Sequence, residues 1–197
     1  NDLNNYKYVF IPQLLIIDNA QAHRLKSFVE NGGILFCGFR TGIKDQNNVL
    51  YDLVPPCKLS DLFGIQIKEK TPLHESETIS LQSVITPESL NGFLWLEKIE
   101  LKFDAVPFLV KGDNRDYIIG SQRTVNIGSA YYLGTHLDEK SRYIIFQNLL
   151  KKHNIYPEVD TGSSQDLIFD RRLTVDNKKL WFLFNFSNEE ILSKKNV

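Results

Sequence analysis

The stretch "YKYVFIPQLLIIDNAQAHRLKSFVENGGILFCGF", Tyr6 to Phe39, decides the fold class. Its first run, "YKYVFI", is β-branched and aromatic and stops at Pro12, with "QLLIID" continuing beyond it. Such a run suits a buried strand of a parallel sheet. Asp18 then stands where a helix wants its N-cap, Gln21 follows three positions later, and Ala22, Leu25, Phe28 and Val29 recur at helical spacing. Gly32 and Gly33 end the helix, since glycine tolerates the left-handed backbone of a C-terminal cap. "ILFCGF", Ile34 to Phe39, is the next buried strand. Strand, helix and strand in this order make a βαβ unit, right-handed by the usual rule, so the chain is α/β with a sheet at least partly parallel.

Working outward, Arg40 to Lys58 turns polar and reads as a long loop, and Ser60 can cap a single turn, "SDLFG". The chain then changes style. "IQIKEK", "ETISLQSV", "FLWLEKIELKF", "VPFLVKG", "YIIGSQRTV" and "SAYYLGT" are short runs broken by Pro, Gly and Asn, which imply antiparallel strands added to the α/β core. A second helix is predicted over Asp138 to His153, with Tyr143, Phe146, Leu149 and Leu150 on one face and basic residues in the last turn. "NIYPEVDTGSSQD", from Asn154 to Asp166, has the composition of a linker. "LIFDRRLTVDNKKLWFLFNFSNEE" reads as two strands around a turn at Asp176-Asn177, and a lone hairpin is only marginally stable.

The chain has 197 residues, 23 basic and 24 acidic, for a net charge of −1. That balance gives no field to attract a polyanion, so nucleic acid is not an expected partner. No apolar run approaches the ~18 residues of a membrane span, and no signal peptide pattern is present, so a membrane is not expected either. Two cysteines, Cys37 and Cys57, form neither a disulfide framework nor a zinc motif, and a reducing, cytoplasmic setting is the default. The chain contains no Met and begins at Asn1, which reads as a piece of a longer protein or a processed product.

Candidate chemistry is thin. Cys37 could be a nucleophile, but the sequence after it offers no helix N-terminus, and the positions two before and two after are Leu35 and Phe39, not the glycines of a nucleophile elbow. A packed core thiol is the plainer reading. His23, His74, His136 and His153 are isolated from one another, without the i, i+4 pair of a helical metal site. His136 stands in "GTHLDE" between a strand and a helix, where Asp138 is the expected cap. Glu97 and Glu100 fall in a predicted strand three apart, hence on opposite faces, and read as a solvated surface. No metal or cofactor is expected. The loop "RTGIKDQNN" lies at the C-terminal end of a predicted parallel strand, where ligands of open α/β sheets bind. Phe182, Phe184 and Phe186 share one face of a strand; a sugar platform is conceivable, but one aromatic face of that size suits a core.

Several blocks then carry a family resemblance: "DLNNYKYVFIPQLLIID", "VENGGILFCGFRTGIKDQN", "LSDLFGIQI", "GFLWLEKIEL", "SAYYLGTHLDE" and the closing helix. Their order and spacing resemble the middle domain of glycoside hydrolase family 42 β-galactosidases, and "LWFLFNFS" resembles the start of their C-terminal β domain. One departure is Asn126-Ile127-Gly128, where the family has a Gly-x-Gly turn. The resemblance implies a three-layer, flavodoxin-like domain similar to class I glutamine amidotransferases, with extra antiparallel strands and without amidotransferase chemistry. It implies residues 1–156 as the α/β trimerisation domain, short of one N-terminal strand and helix, and 161–197 as the beginning of a small β domain. It implies no catalytic residue in this chain, because the family's two catalytic glutamates lie in a preceding (β/α) barrel. The partners it implies are two further copies in a homotrimer and the chain's own catalytic barrel, with β-galactosides as substrates of the parent only. Arg40, Thr41, Lys44, Asp45 and Asn47 are the expected interface residues. Two alternatives stay open, a stand-alone amidotransferase-like thiol hydrolase using Cys37 and a carbohydrate-binding module.

Overall fold

A computed structural model describes residues 2–52, 55–156, 159–160, 167–190 and 194–195. The chain divides into two compact units, Asn1–Asn148 and Leu149–Val197.

The first unit opens with the βαβ element. Strand β1 (Tyr8–Ile11) runs parallel to β2 (Ile34–Gly38), with Tyr8 opposite Ile34 and Ile11 opposite Cys37, and helix α1 (Asn19–Glu30) connects them. Asp18 and Gln21 form the expected capping box: the Asp18 carboxylate accepts from the Gln21 N–H at 2.6 Å, and the Asp18 N–H donates to the Gln21 side chain at 2.9 Å. At the other end Gly32 takes φ 97°, its N–H donates to the Val29 carbonyl, and the Gly33 N–H donates to Phe28. These are the paired bonds of a Schellman cap, reachable because glycine has no Cβ to clash at positive φ. Ala22, Leu25, Phe28 and Val29 are buried, as their spacing predicts.

"QLLIID" does not extend the strand. Pro12 has no N–H for a ladder, and residues 14–17 instead pair with the loop ahead: Lys44 donates to Leu15, and Ile17 donates to Lys44. Helix α2 (Ser60–Phe63) also differs from expectation, because Ser60 lies inside it, Leu59 occupies the cap position, and no side chain caps the turn. The remaining elements of this unit are β3 (Ile65–Pro72), β4 (Thr78–Ser83), β5 (Thr86–Leu101), β6 (Val106–Lys111), β7 (Asn114–Val125), β8 (Gly128–Leu133), β9 (Thr135–Leu137) and α3 (Glu139–Lys152), whose last residues enter the second unit.

All nine strands join one sheet in the order β1-β2-β8-β7-β6-β4-β5-β3, with β9 on β5. Strand β8, expected among the antiparallel additions, is the third parallel strand, with Cys37 of β2 opposite Tyr132. It is also the hinge between styles, since its other edge pairs antiparallel with β7. Past Gly134 the same stretch continues as β9 and pairs with β5, so the path β8-β7-β6-β4-β5-β9 returns to the segment it left. Leu81, Leu90, Phe108 and Ile119 on that ring are fully buried.

Helices cover both faces of the parallel strands. Residues of α1 and α2 pack with Leu35, Cys37, Ala130 and Tyr132 on one face. On the other, Phe36 meets Phe146 of α3 at 5.0 Å between ring centroids and stacks near Tyr131. The buried stripe of α3 is Ser141, Ile145 and Leu149, one per turn, while Tyr143 is 41% exposed. The helix is therefore rotated from the face that Tyr143 and Leu150 implied.

In the second unit, β11 (Leu167–Leu173) and β12 (Lys179–Asn185) pair antiparallel around the expected turn, with Asn177 at φ 60°. A short pair, β10 (Val159–Asp160) with β13 (Lys194–Lys195), also runs antiparallel. Phe182, Phe184 and Phe186 do stack on one face, 6.4 Å apart, but they are exposed and not the core that was expected. Most of the expected linker falls outside the described residues. Among the described residues no helix is long and apolar enough to cross a membrane.

Candidate functional site

The site lies where β2 ends. Three residues beyond Cys37, Arg40 takes a left-handed backbone, φ 58°. For a long side chain this conformation costs about 1 kcal/mol or more, and it persists only when the surroundings hold it. The holder is Glu97, which reaches across from β5: its carboxylate accepts from the Arg40 N–H at 3.4 Å, from the Trp95 indole N–H at 3.0 Å and from the Tyr132 hydroxyl at 2.7 Å. Glu97 is fully buried, so the solvated face expected for it is overturned. Burial pushes its pKa upward, against the pull of those three donors and of Lys70.

Three separated segments converge here because β5 is kinked. Leu94 has φ 63°, and the pairing of β5 with β9 slips between Phe93 and Leu96. The slip leaves Leu96 and Glu97 buried in succession, against the alternation of a regular strand. Above Glu97 opens a cavity of about 240 Å³, lined by Arg40, Tyr51, Lys70 and Trp95, with Ile43, Leu50 and Pro55 as apolar wall. The Arg40 guanidinium lies over the Trp95 ring, 5.4 Å from its centroid, a cation–π contact.

The five residues expected at an interface are held in three different ways. Thr41 is fully buried and its hydroxyl donates to the Gly38 carbonyl at 2.6 Å, so its side chain faces inward. Lys44, Asp45 and Asn47 belong to a tight turn of their own. Lys44 donates to Asn48 at 2.8 Å, and the Asp45 carboxylate accepts from the N–H groups of Asn47 and Val49 at 2.9 Å each. Arg40 alone of the five lines the cavity.

Cys37 is not placed as a nucleophile. Cys37 is completely buried between β1 and β8, and burial raises its thiol pKa far above the ordinary range. A thiolate is the reactive form, and none is available here. Burial likewise raises Cys57, to about 11. His136 packs edge-on against Phe93 at 4.6 Å and near Phe39 at 6.1 Å, and among the described residues no hydrogen bond joins it to Cys37. Burial and the neighbouring Arg142 lower its pKa. Asp138 caps α3 as expected, accepting from the Ser141 N–H at 2.7 Å. Among the described residues no group of three His, Cys, Asp or Glu side chains comes together as metal ligands.

The family model described as the β-galactosidase trimerisation domain matches residues 1–156. The β-galactosidase LacZ of Heyndrickxia coagulans is 27% identical over 192 residues, which is 95% of this chain and 28% of that protein. BgaA of Clostridium cellulovorans is 33% identical over 195 residues, with 95% and 28% covered. Among solved structures, the β-galactosidase from Bacillus circulans sp. alkalophilus superposes with a TM-score of 0.88 at 20% identity, over 97% of this chain and 29% of that one. The cold-adapted enzyme of Rahnella sp. R3 gives 0.87 at 20%, over 100% and 33%. At those identities the likeness speaks for the fold, mixed α/β with one large sheet. The chain thus spans little more than a quarter of the curated relatives it matches, and the described residues form no (β/α) barrel. The chain belongs to the trimerisation-domain family of glycoside hydrolase family 42 β-galactosidases.

Proposed function

We propose that this chain is the assembly region of a homotrimeric β-galactosidase, one that hydrolyses terminal β-galactosides with two glutamates held in a separate (β/α) barrel. In this reading the fold is a class I glutamine amidotransferase-like domain over residues 1–156, and residues 161–197 begin a small β domain. The parent works in the cytoplasm and away from membranes. The observation that carries the reading is the match of the trimerisation-domain family over residues 1–156, joined to a strand end whose thiol is sealed and whose open position is filled by Arg40.

A closed three-fold ring needs a heterologous contact, in which two different patches of each subunit meet. Arg40, Lys44, Asp45 and Asn47 supply one of them, Arg40 through its side chain and the others through a preformed turn. A thiol hydrolase using Cys37 is disfavoured by its burial, and a carbohydrate-binding module by the trimerisation-domain match over residues 1–156. Light scattering of the β-galactosidase that carries this segment, with and without residues 1–156, tests the proposal. The intact protein should weigh three subunits and the deletion should lose that state; a trimer that survives deletion refutes it.

A further inference from the structure

Arg40 and Lys70 stand out in the cavity above Glu97 because the chain gives them nothing to hold. Among the described residues no oxygen accepts from the Arg40 guanidinium, which lies over the Trp95 ring, and Lys70 makes no direct ion pair, although its charge acts on Glu97. Glu97 is already engaged, accepting from Trp95, Tyr132 and the Arg40 backbone, and among the described residues no hydrogen bond joins it to either cationic head. The guanidinium is a rigid fork of five donors suited to bidentate capture of a carboxylate. Its placement is prepared in advance by the strained backbone, the Glu97 anchor and the indole face.

We infer that this cavity receives the carboxylate of an Asp or Glu side chain from a second copy of this chain. The inference rests on the assembly reading above and names the contact within it. An arginine stacked on tryptophan beside a tyrosine, in a concave and half-dry setting, is the composition that dominates binding energy at protein interfaces. The chain also offers the complement elsewhere, as a heterologous contact requires: Glu75 in the turn before β4, and Glu88 and Asp116 in the antiparallel part of the sheet, are exposed and make no ion pair among the described residues.

Sedimentation velocity of the full chain across a concentration series tests this, with circular dichroism confirming that each variant is folded. Wild type should self-associate. Arg40→Glu should weaken association by roughly 100-fold or more, because it sets like charges against each other in a buried contact. Lys70→Glu should weaken it by about tenfold. Lys70 lies on an exposed strand and serves if Arg40→Glu fails to fold. Association that is unchanged in a folded Arg40→Glu, or in Lys70→Glu, overturns the carboxylate contact and leaves the assembly reading standing. A wild type that stays monomeric at every concentration also overturns the carboxylate contact, while the assembly reading is decided by the deletion in the parent.

Discussion

Glu97 is cut off from water and yet accepts three hydrogen bonds, and the balance of those facts sets how the protein responds to pH. Burial dominates and raises its pKa. A carboxyl that binds its proton more tightly when folded contributes stability that is fully present below the unfolded value, about 4.3, and is lost as pH climbs through the folded value. Urea melts at a series of pH values should therefore show wild type losing stability with rising pH more steeply than Glu97→Gln. Equal slopes would show that Glu97 titrates as an ordinary glutamate. The two thiols give a second test. Under iodoacetamide Cys37 should stay unmodified until denaturant is added, while Cys57 reacts slowly, its rate rising roughly tenfold per pH unit below about 11. Labelling of native Cys37 would reopen the nucleophile reading. Cys37 was legible in the sequence because elbow chemistry has local requirements. Glu97 was not, because the partners that bury it, Tyr132 and Arg40, are 35 and 57 positions away.

At the scale of elements, α1 and its caps could be read directly, since capping boxes and Schellman turns are made within a few residues. Helix α3 was found and its face half read: Phe146 packs on the sheet and Leu149 is buried as expected, whereas Tyr143 is exposed and Ile145 was missed. Its apolar residues are spread around more than half the cylinder, so the pattern alone does not choose between a stripe through Ser141, Ile145 and Leu149 and one through Tyr143 and Leu150. The sheet chooses, by presenting Phe36 and Phe10 to Phe146. Ile145→Ala should thus cost about 2–5 kcal/mol in thermal or urea melts, and Tyr143→Ala less than about 0.5. The reverse order would favour the other stripe. Gly38 is a further element-level test. A Cβ there would strike the Pro12 carbonyl, a backbone atom that cannot swing aside, so Gly38→Ala should destabilise by about 1–3 kcal/mol as an overpacked contact.

For the whole molecule, the sequence showed an α/β start and an antiparallel continuation but not how they join. Strand β8 looked like one more short antiparallel run, because nothing in "SAYYLGT" records that its neighbour is a strand almost a hundred positions earlier. That neighbour relation has a kinetic consequence. Strands β2 and β8 lie side by side from Ile34 to Gly38, yet β3 to β7 are threaded between them in the chain. Until those five strands have collapsed, the free edge of "ILFCG" has no partner but another molecule. Such long-range closure places refolding in the millisecond-to-second range, slow for a chain of this size. Recovery on dilution from denaturant should fall as protein concentration rises, with the β2 edge as the adhesive surface.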